Sequence, residues 1–137
     1  MIDNNSVDIA ISYKDFQNQV SQVLIRHKSI LDIMTKLDEF TARINRAIAK
    51  SVTNCGCIKI NANKQDYNRD SLQEMLNAVS SHIEGTFCDN CKEVISTEIG
   101  SYLFYLAALC NTLGLDIEQI IKDEYKTIKT LGIYSLK

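Results

Sequence analysis

The longest periodic stretch of the chain runs from Cys91 to Asp116 and reads CKEVISTEIGSYLFYLAALCNTLGLD. Ile95, Ile99, Leu103, Leu106, Cys110 and Leu113 recur at steps of four, four, three, four and three, the spacing of one face of an α-helix. From Tyr102 to Cys110 nearly every residue is apolar, so the later turns require cover on more than one side. Gly114 is placed to stop this helix and Asp116 to cap another.

The rest of the chain repeats the signature more weakly. Ser12 with Asp15 has capping-box spacing, and Phe16, Val20, Val23 and Leu24 follow as an apolar stripe. Arg26-His27-Lys28 supplies cations that suit a helix C-terminus. Ser29 and Asp32 repeat the capping spacing, so either a second helix starts there or the first runs on. That helix places Ile30, Met34, Leu37, Ile44 and Ile48 on its core side and reaches about Val52. Between Thr53 and Asp70 the pattern stops: Cys57 to Ile60 alternates briefly, then the chain turns polar, which predicts an extended loop or a short strand. Ser71 and Glu74 open a third helix with Leu72, Met75, Leu76, Val79 and Ile83 inward and Gly85 at its close. The Cys91 stretch is then the fourth helix, capped by Asp89 or Asn90. A fifth runs from Ile117 to about Lys129, with Ile117, Ile120, Ile121, Tyr125 and Ile128 inward and Gly132 at its end. No repeat or linker interrupts the order. The expectation is one all-α domain over residues 1–137, a four- to five-helix antiparallel bundle with a flexible lead-in at 1–11 and a cysteine-bearing irregular insertion at 53–70.

Composition agrees with this pattern. The chain has 137 residues, 45% of them hydrophobic, with five glycines and no proline, which suits long helices and a real core. A net charge of −2 gives no global basic field for nucleic acid or a membrane surface. The longest apolar run, Tyr102 to Cys110, is nine residues, about half of what a membrane span needs. The N-terminus, MIDNNSVDIAIS, carries acids and no basic segment, unlike a secretory signal, so a cytoplasmic location is expected.

Five cysteines in such a chain point to reduced thiols, metal or redox chemistry rather than a disulfide framework. Cys55-Gly-Cys57 and Cys88-Asp-Asn-Cys91 form two close pairs on separate segments, the arrangement from which a tetrahedral thiolate site is built. A CxxC at a helix start is a good half-site, since the helix N-terminus favours thiolate. The CxC is less common, and its glycine lets both sulfurs turn the same way. Free thiols or a reversible disulfide are the alternatives, and iron–sulfur could use the same four ligands. Structural zinc is preferred, because the pairs flank the one irregular region and a metal there would tie two helices and the loop together. Cys110, inside LAALC, reads as a small buried hydrophobe. His27 and His82 lie near helix ends, where capping or exposure is the simpler role.

The segment GSYLFYLAALCNTLGLDIEQII, preceded by Glu98-Ile99, resembles the C-terminal half of MazG-like all-α nucleoside triphosphate pyrophosphohydrolases, over roughly residues 92–130 and, in helical layout only, 13–52. The resemblance implies an oligomeric helical bundle in which acids hold Mg²⁺ against a nucleotide triphosphate while water attacks and pyrophosphate leaves. It implies Glu98 as the first acid of an E-x-x-D motif, yet Ser101 stands where the aspartate should be. The family's E-x-x-E on the second helix has no counterpart either. Asp38 and Glu39 are adjacent and point about 100° apart, and Ala42 follows Glu39 by three. Glu98, Glu39 and Asp38 are therefore the candidate catalytic acids of an incomplete set, with Mg²⁺ needed only if the protein is catalytic. For Glu39 the plainer reading is an i,i+4 surface pair with Arg43.

Lys36, Arg43, Arg46 and Lys50 fall within about 80° around the second helix. Arg43, Arg46 and Lys50 are candidate phosphate contacts, although such a stripe is usually the solvated side of an amphipathic helix. Two functions stay open: a MazG-like nucleotide-binding protein with weak or lost hydrolysis, and a non-enzymatic zinc-stapled module that binds a protein or nucleic-acid partner. A homo-oligomer is expected in either case, with Leu103, Phe104, Tyr105 and Ala108 near the interface.

Overall fold

The computed structural model describes residues 10–137, so most of the lead-in expected at 1–11 lies outside the described residues. Ser12 caps helix α1 (Tyr13–Val23) through a full capping box with Asp15. The chain then leaves the helical region at Leu24 and turns at His27, whose φ is 57°. The first two helices are thus separate, and Ser29 opens helix α2 (Ile30–Lys50). At Ser51 the α-helix widens into a single π turn, Ser51–Cys55, closed by Gly56 in the left-handed region. Strand β1 (Ile58–Ile60) follows, then an irregular stretch and helix α3 (Leu72–Ala78). Strand β2 (Ile83–Gly85) pairs antiparallel with β1, and helix α4 (Asp89–Leu113) and helix α5 (Ile117–Leu131) complete the order before a 3₁₀ turn at Gly132–Ser135. The fold is all-α with one small two-stranded sheet.

The third helix is shorter than its apolar spacing suggests. Val79, expected on its inner face, leaves the helical region, and Ile83 and Gly85 belong to a strand instead of a helix end. The cause is local competition for backbone donors. Ser80 and Ser81 accept from the amides of His82 and Ile83, while Gln65 brackets Ser80 with bonds to both its N–H and its C=O.

The core sits where α1, α2 and α4 meet: Val20, Ile33, Ala107 and Ala108 are buried, with Phe16, Leu24, Phe104 and Leu109 packed around them. Adjacent alanines on α4 let the other two helices approach closely. This shifts the inward face of α2 from the expected one. Ile33 is fully enclosed, Ile30, Leu37, Ile44 and Ile48 are half-buried, and Met34 is exposed. Ala108 is therefore an internal residue, which removes it from the expected interface. Val23 on α1 and Ile120, Tyr125 and Ile128 on α5, all expected inward, are also exposed.

A buried polar residue fastens α5 to the core. The Gln17 side chain donates to the Leu115 carbonyl at 2.7 Å and accepts from the Ile117 amide at 2.9 Å. Asn111 donates to the Gln17 carbonyl at 3.0 Å. Both polar ends of the Gln17 side chain are thereby satisfied in a nearly enclosed position. Among the described residues no helix is long and apolar enough to cross a membrane.

Candidate metal centre

The two cysteine pairs reach one place by different routes. The π turn carries Cys55 to the end of α2, and Gly56 donates back to the Ser51 carbonyl at 2.9 Å, which reverses the chain and returns Cys57 toward the same carbonyl. β1 then departs directly from Cys57. Its partner β2 runs the other way in the register Ile58 to Gly85, Lys59 to Glu84 and Ile60 to Ile83. The chain leaving Gly85 therefore arrives at Cys88 beside the CxC. Gly85 has φ of 88°, and a Cβ there would stand 2.7 Å from the Cys57 carbonyl oxygen. The close crossing beside the first half-site thus needs a residue without a side chain.

Cys88, not Asp89 or Asn90, is the N-cap of α4. Its sulfur accepts from the Cys91 amide at 3.4 Å. The Asp-Asn pair instead forms the first helical turn, because the sulfur takes the place of the usual capping oxygen. The four sulfurs of Cys55, Cys57, Cys88 and Cys91 all lie within 4.8 Å of one another, and Cys55 and Cys88 are 3.8 Å apart. A tetrahedron of Zn–S bonds of about 2.3 Å has edges of about 3.8 Å, so the set fits a divalent ion after a contraction of at most about 1 Å. Four thiols are able to bind a metal ion here, and the burial grades from exposed Cys55 to buried Cys91. Neither histidine joins the group. Cys110 is buried in α4 away from it, and burial pushes its thiol up.

The protons on these thiols are unevenly held. The Cys91 amide and then the Cys91 thiol, both directed at the Cys88 sulfur, lower Cys88 to about 7. A hydrogen bond with Ser51 pulls Cys91 down, but the neighbouring Cys88 sulfur and burial outweigh it and push Cys91 up to about 12. Cys55 is also raised: the Cys57 backbone hydrogen bond lowers it most strongly of any single contact, but the Cys88 and Cys57 sulfurs and burial together outweigh that. One thiolate is thus ready near neutral pH, and a metal must expel the remaining protons as it binds.

The candidate acids are arranged differently. Glu39 pairs with Lys36 at 2.7 Å and with Arg43 at 3.6 Å, and the Lys36 hydrogen bond holds its carboxyl below the usual range. Glu98 pairs with the same Arg43 at 3.0 Å. Asp38 points to solvent and joins neither. Among the described residues no three acids gather as a cation cage. Arg43 also lies over the Phe40 ring, which stacks on Tyr105. Arg43, Arg46 and Lys50 do come together, lining with Ala47, Val94 and Glu98 a groove of about 420 Å³ between α2 and α4. A second cavity of about 210 Å³, lined by Lys50, Asn54, Cys55, Asn90 and Cys91 among others, continues it toward the cysteines.

Ser51, Gln17 and Gly85 are the site and core residues that sequence reasoning passed over. Gly85 was expected only to close α3, and no pattern marked the strand that it ends instead. For Ser51 and Gln17 no positional pattern existed. No known protein family, curated protein or solved structure matches this chain.

Proposed function

We propose that the protein is a zinc-stapled helical module that acts by binding rather than by turnover, with Cys55, Cys57, Cys88 and Cys91 as the four zinc ligands. The reading rests on one observation: four sulfurs from two separate segments lie within 4.8 Å, with no acid or histidine among them. An all-cysteine shell leaves no open position for substrate or water, which is the character of a structural site. The zinc would join the end of α2 to the start of α4, the two helices that carry most of the core. Metal analysis of the purified protein tests this. One equivalent of zinc with an all-sulfur X-ray absorption shell is the expected result. Visible charge-transfer absorption with stoichiometric iron would replace zinc by an iron–sulfur cluster.

A second reading is supported by the basic groove. Arg43, Arg46 and Lys50 line one cavity, and Arg46 and Lys50 form no ion pair among the described residues. A MazG-like antiparallel bundle that binds a nucleotide by its phosphates and has lost hydrolysis accords with this. The acids do not favour turnover. Glu39 and Glu98 are already committed to one arginine, and Ser101 provides a neutral ligand where a hard cation needs charge. Loss of metal charge at a phosphoryl centre costs several kcal/mol in the barrier, on the order of a thousandfold in rate. Pyrophosphate release from nucleoside triphosphates with Mg²⁺ should therefore be near background, and Glu98→Gln should change it little. Brisk release abolished by Glu98→Gln would install the hydrolase reading in place of the binding one.

A further inference from the structure

The four clustered cysteines differ in what can reach them. Cys55 is exposed, Cys57 and Cys88 are partly covered, and Cys91 is buried in the first turn of α4. The cavity of about 210 Å³ lined by Lys50, Asn54, Asn90 and Cys91 opens onto Cys55 and has room for a small solute. Oxidation of a cysteine follows its exposure, so Cys55 is the sulfur that a dissolved oxidant meets first. The Cys88 sulfur stands 3.8 Å from it, on a segment 33 residues further along the chain. Cys57 is turned elsewhere, its thiol directed at the Ser51 carbonyl at 3.8 Å. Cys55 is also free to move. It ends the π turn, and Gly56 after it has open space on its Cβ side. A disulfide of about 2.05 Å requires the two sulfurs to close by about 1.8 Å, which rotation about the Cys55 Cα–Cβ bond can supply.

We propose that Cys55 and Cys88 are an oxidation site: hydrogen peroxide joins them in an intramolecular disulfide, and the metal held by the four cysteines is expelled as the bond forms. The pairing rests on the sulfur geometry alone, and the expulsion rests on the zinc reading above. The Cys55 thiolate attacks one peroxide oxygen. The S–O bond forms, the O–O bond breaks, and the departing hydroxide takes a proton from solvent. The Cys88 thiolate then attacks the Cys55 sulfur. The S–S bond forms, the S–O bond breaks, and a second hydroxide leaves and is protonated. Two thiolates, one peroxide and two protons thus give one disulfide and two waters, and the zinc keeps its charge throughout. Cys57 and Cys91 alone cannot close a tetrahedral shell, so the ion dissociates. The new bond joins the end of α2 to the start of α4, the same points that the metal joins. The link between the two helices therefore outlasts the metal, and a thiol reductant restores the ligands by exchange.

Peroxide treatment of the full chain, its zinc content measured beforehand, tests this. Zinc release is followed with a chromogenic chelator and the cross-link by peptide mapping without reductant. The expected result is loss of about one zinc per chain together with a Cys55–Cys88 bridge. Dithiothreitol and added zinc should reverse both, and buried Cys110, outside the cluster, should stay reduced. Chelator-stripped protein should give the same bridge, so a chain that carries no zinc refutes the zinc reading while the pairing is still decided. In stripped protein Cys57→Ser should bridge within about twofold of the wild-type rate. Cys88→Ser should lower cross-linking at least about tenfold and leave Cys55 to proceed to sulfinic acid. Circular dichroism checks that the stripped variants are folded. If stripping unfolds the chain, the map of the zinc-loaded wild type decides alone. A bridge between Cys88 and Cys91 or between Cys55 and Cys57 overturns the proposal. So does sulfinic acid without a bridge, or a bridge formed with the zinc retained.

Discussion

Cys88→Ser is expected to remove the zinc and to lower the melting temperature by about 10 °C. A serine keeps the N-cap geometry, because its oxygen can still accept from the Cys91 amide, so the helix itself should start normally. What is lost is one of four thiolates, and with it the bond from α4 to the π turn after α2. Changes in the shell outside the ligands alone cost 10–100-fold in metal affinity, so loss of a ligand is expected to exceed ~100-fold. At fixed free metal that removes about 2.7 kcal/mol of linked stability, which for a chain of this length is a shift of about 10 °C. Zinc content by mass spectrometry and a melting curve measured with and without chelator check both halves. Wild type should move toward the variant when chelator is added, and the variant should not respond. A wild-type melting temperature indifferent to chelator would show that the cysteines do not hold the fold through a metal.

Gly85→Ala should be nearly as damaging although no ligand is touched. The new Cβ would meet the Cys57 carbonyl oxygen at 2.7 Å, and the backbone at φ of 88° already disfavours any side chain. Strain of about 1–3 kcal/mol is expected from the dihedral alone, and the clash must be relieved by parting β1 from β2. Parting them moves Cys57 away from Cys88 and Cys91. Zinc affinity should therefore fall at least ~10-fold together with stability. Gly56→Ala is the control. Its φ is 76°, but nothing lies within 4 Å of the added Cβ, so only strain applies and zinc should be retained. Equal metal loss in both variants would mean that the ladder does not set the spacing of the two half-sites.

The cluster of four cysteines was legible because close cysteine pairs are rare and their chemistry is narrow. The strand that unites them was not legible. Ile83-Glu84-Gly85 is three residues long and carries too little alternation to distinguish it from the end of α3. The serines that end α3 act through side-chain bonds to amides two residues on, a competition that apolar spacing does not register. Helix positions were mostly legible, and helix faces less so. Periodicity in α4 identified an apolar stripe, yet it carries no information about which side of the helix the rest of the chain covers. The result is that Ile99 and Leu103 face outward while Ala107 and Ala108, inconspicuous in sequence, fill the core. Gln17 was hidden for the opposite reason, since a glutamine in an amphipathic helix reads as surface.

The Gln17 contacts have a consequence for how the chain acquires its fold during synthesis. The partners of its side chain are 98 and 100 residues downstream. At roughly 5–20 residues per second, α1 must wait about 5–20 s after emerging before its buried amide can be satisfied. During that interval Val20 has α2 for company but lacks Ala107 and Ala108. Ribosome-bound chains arrested before residue 105 should therefore be cut readily by protease within residues 13–23, and chains released past residue 120 should not.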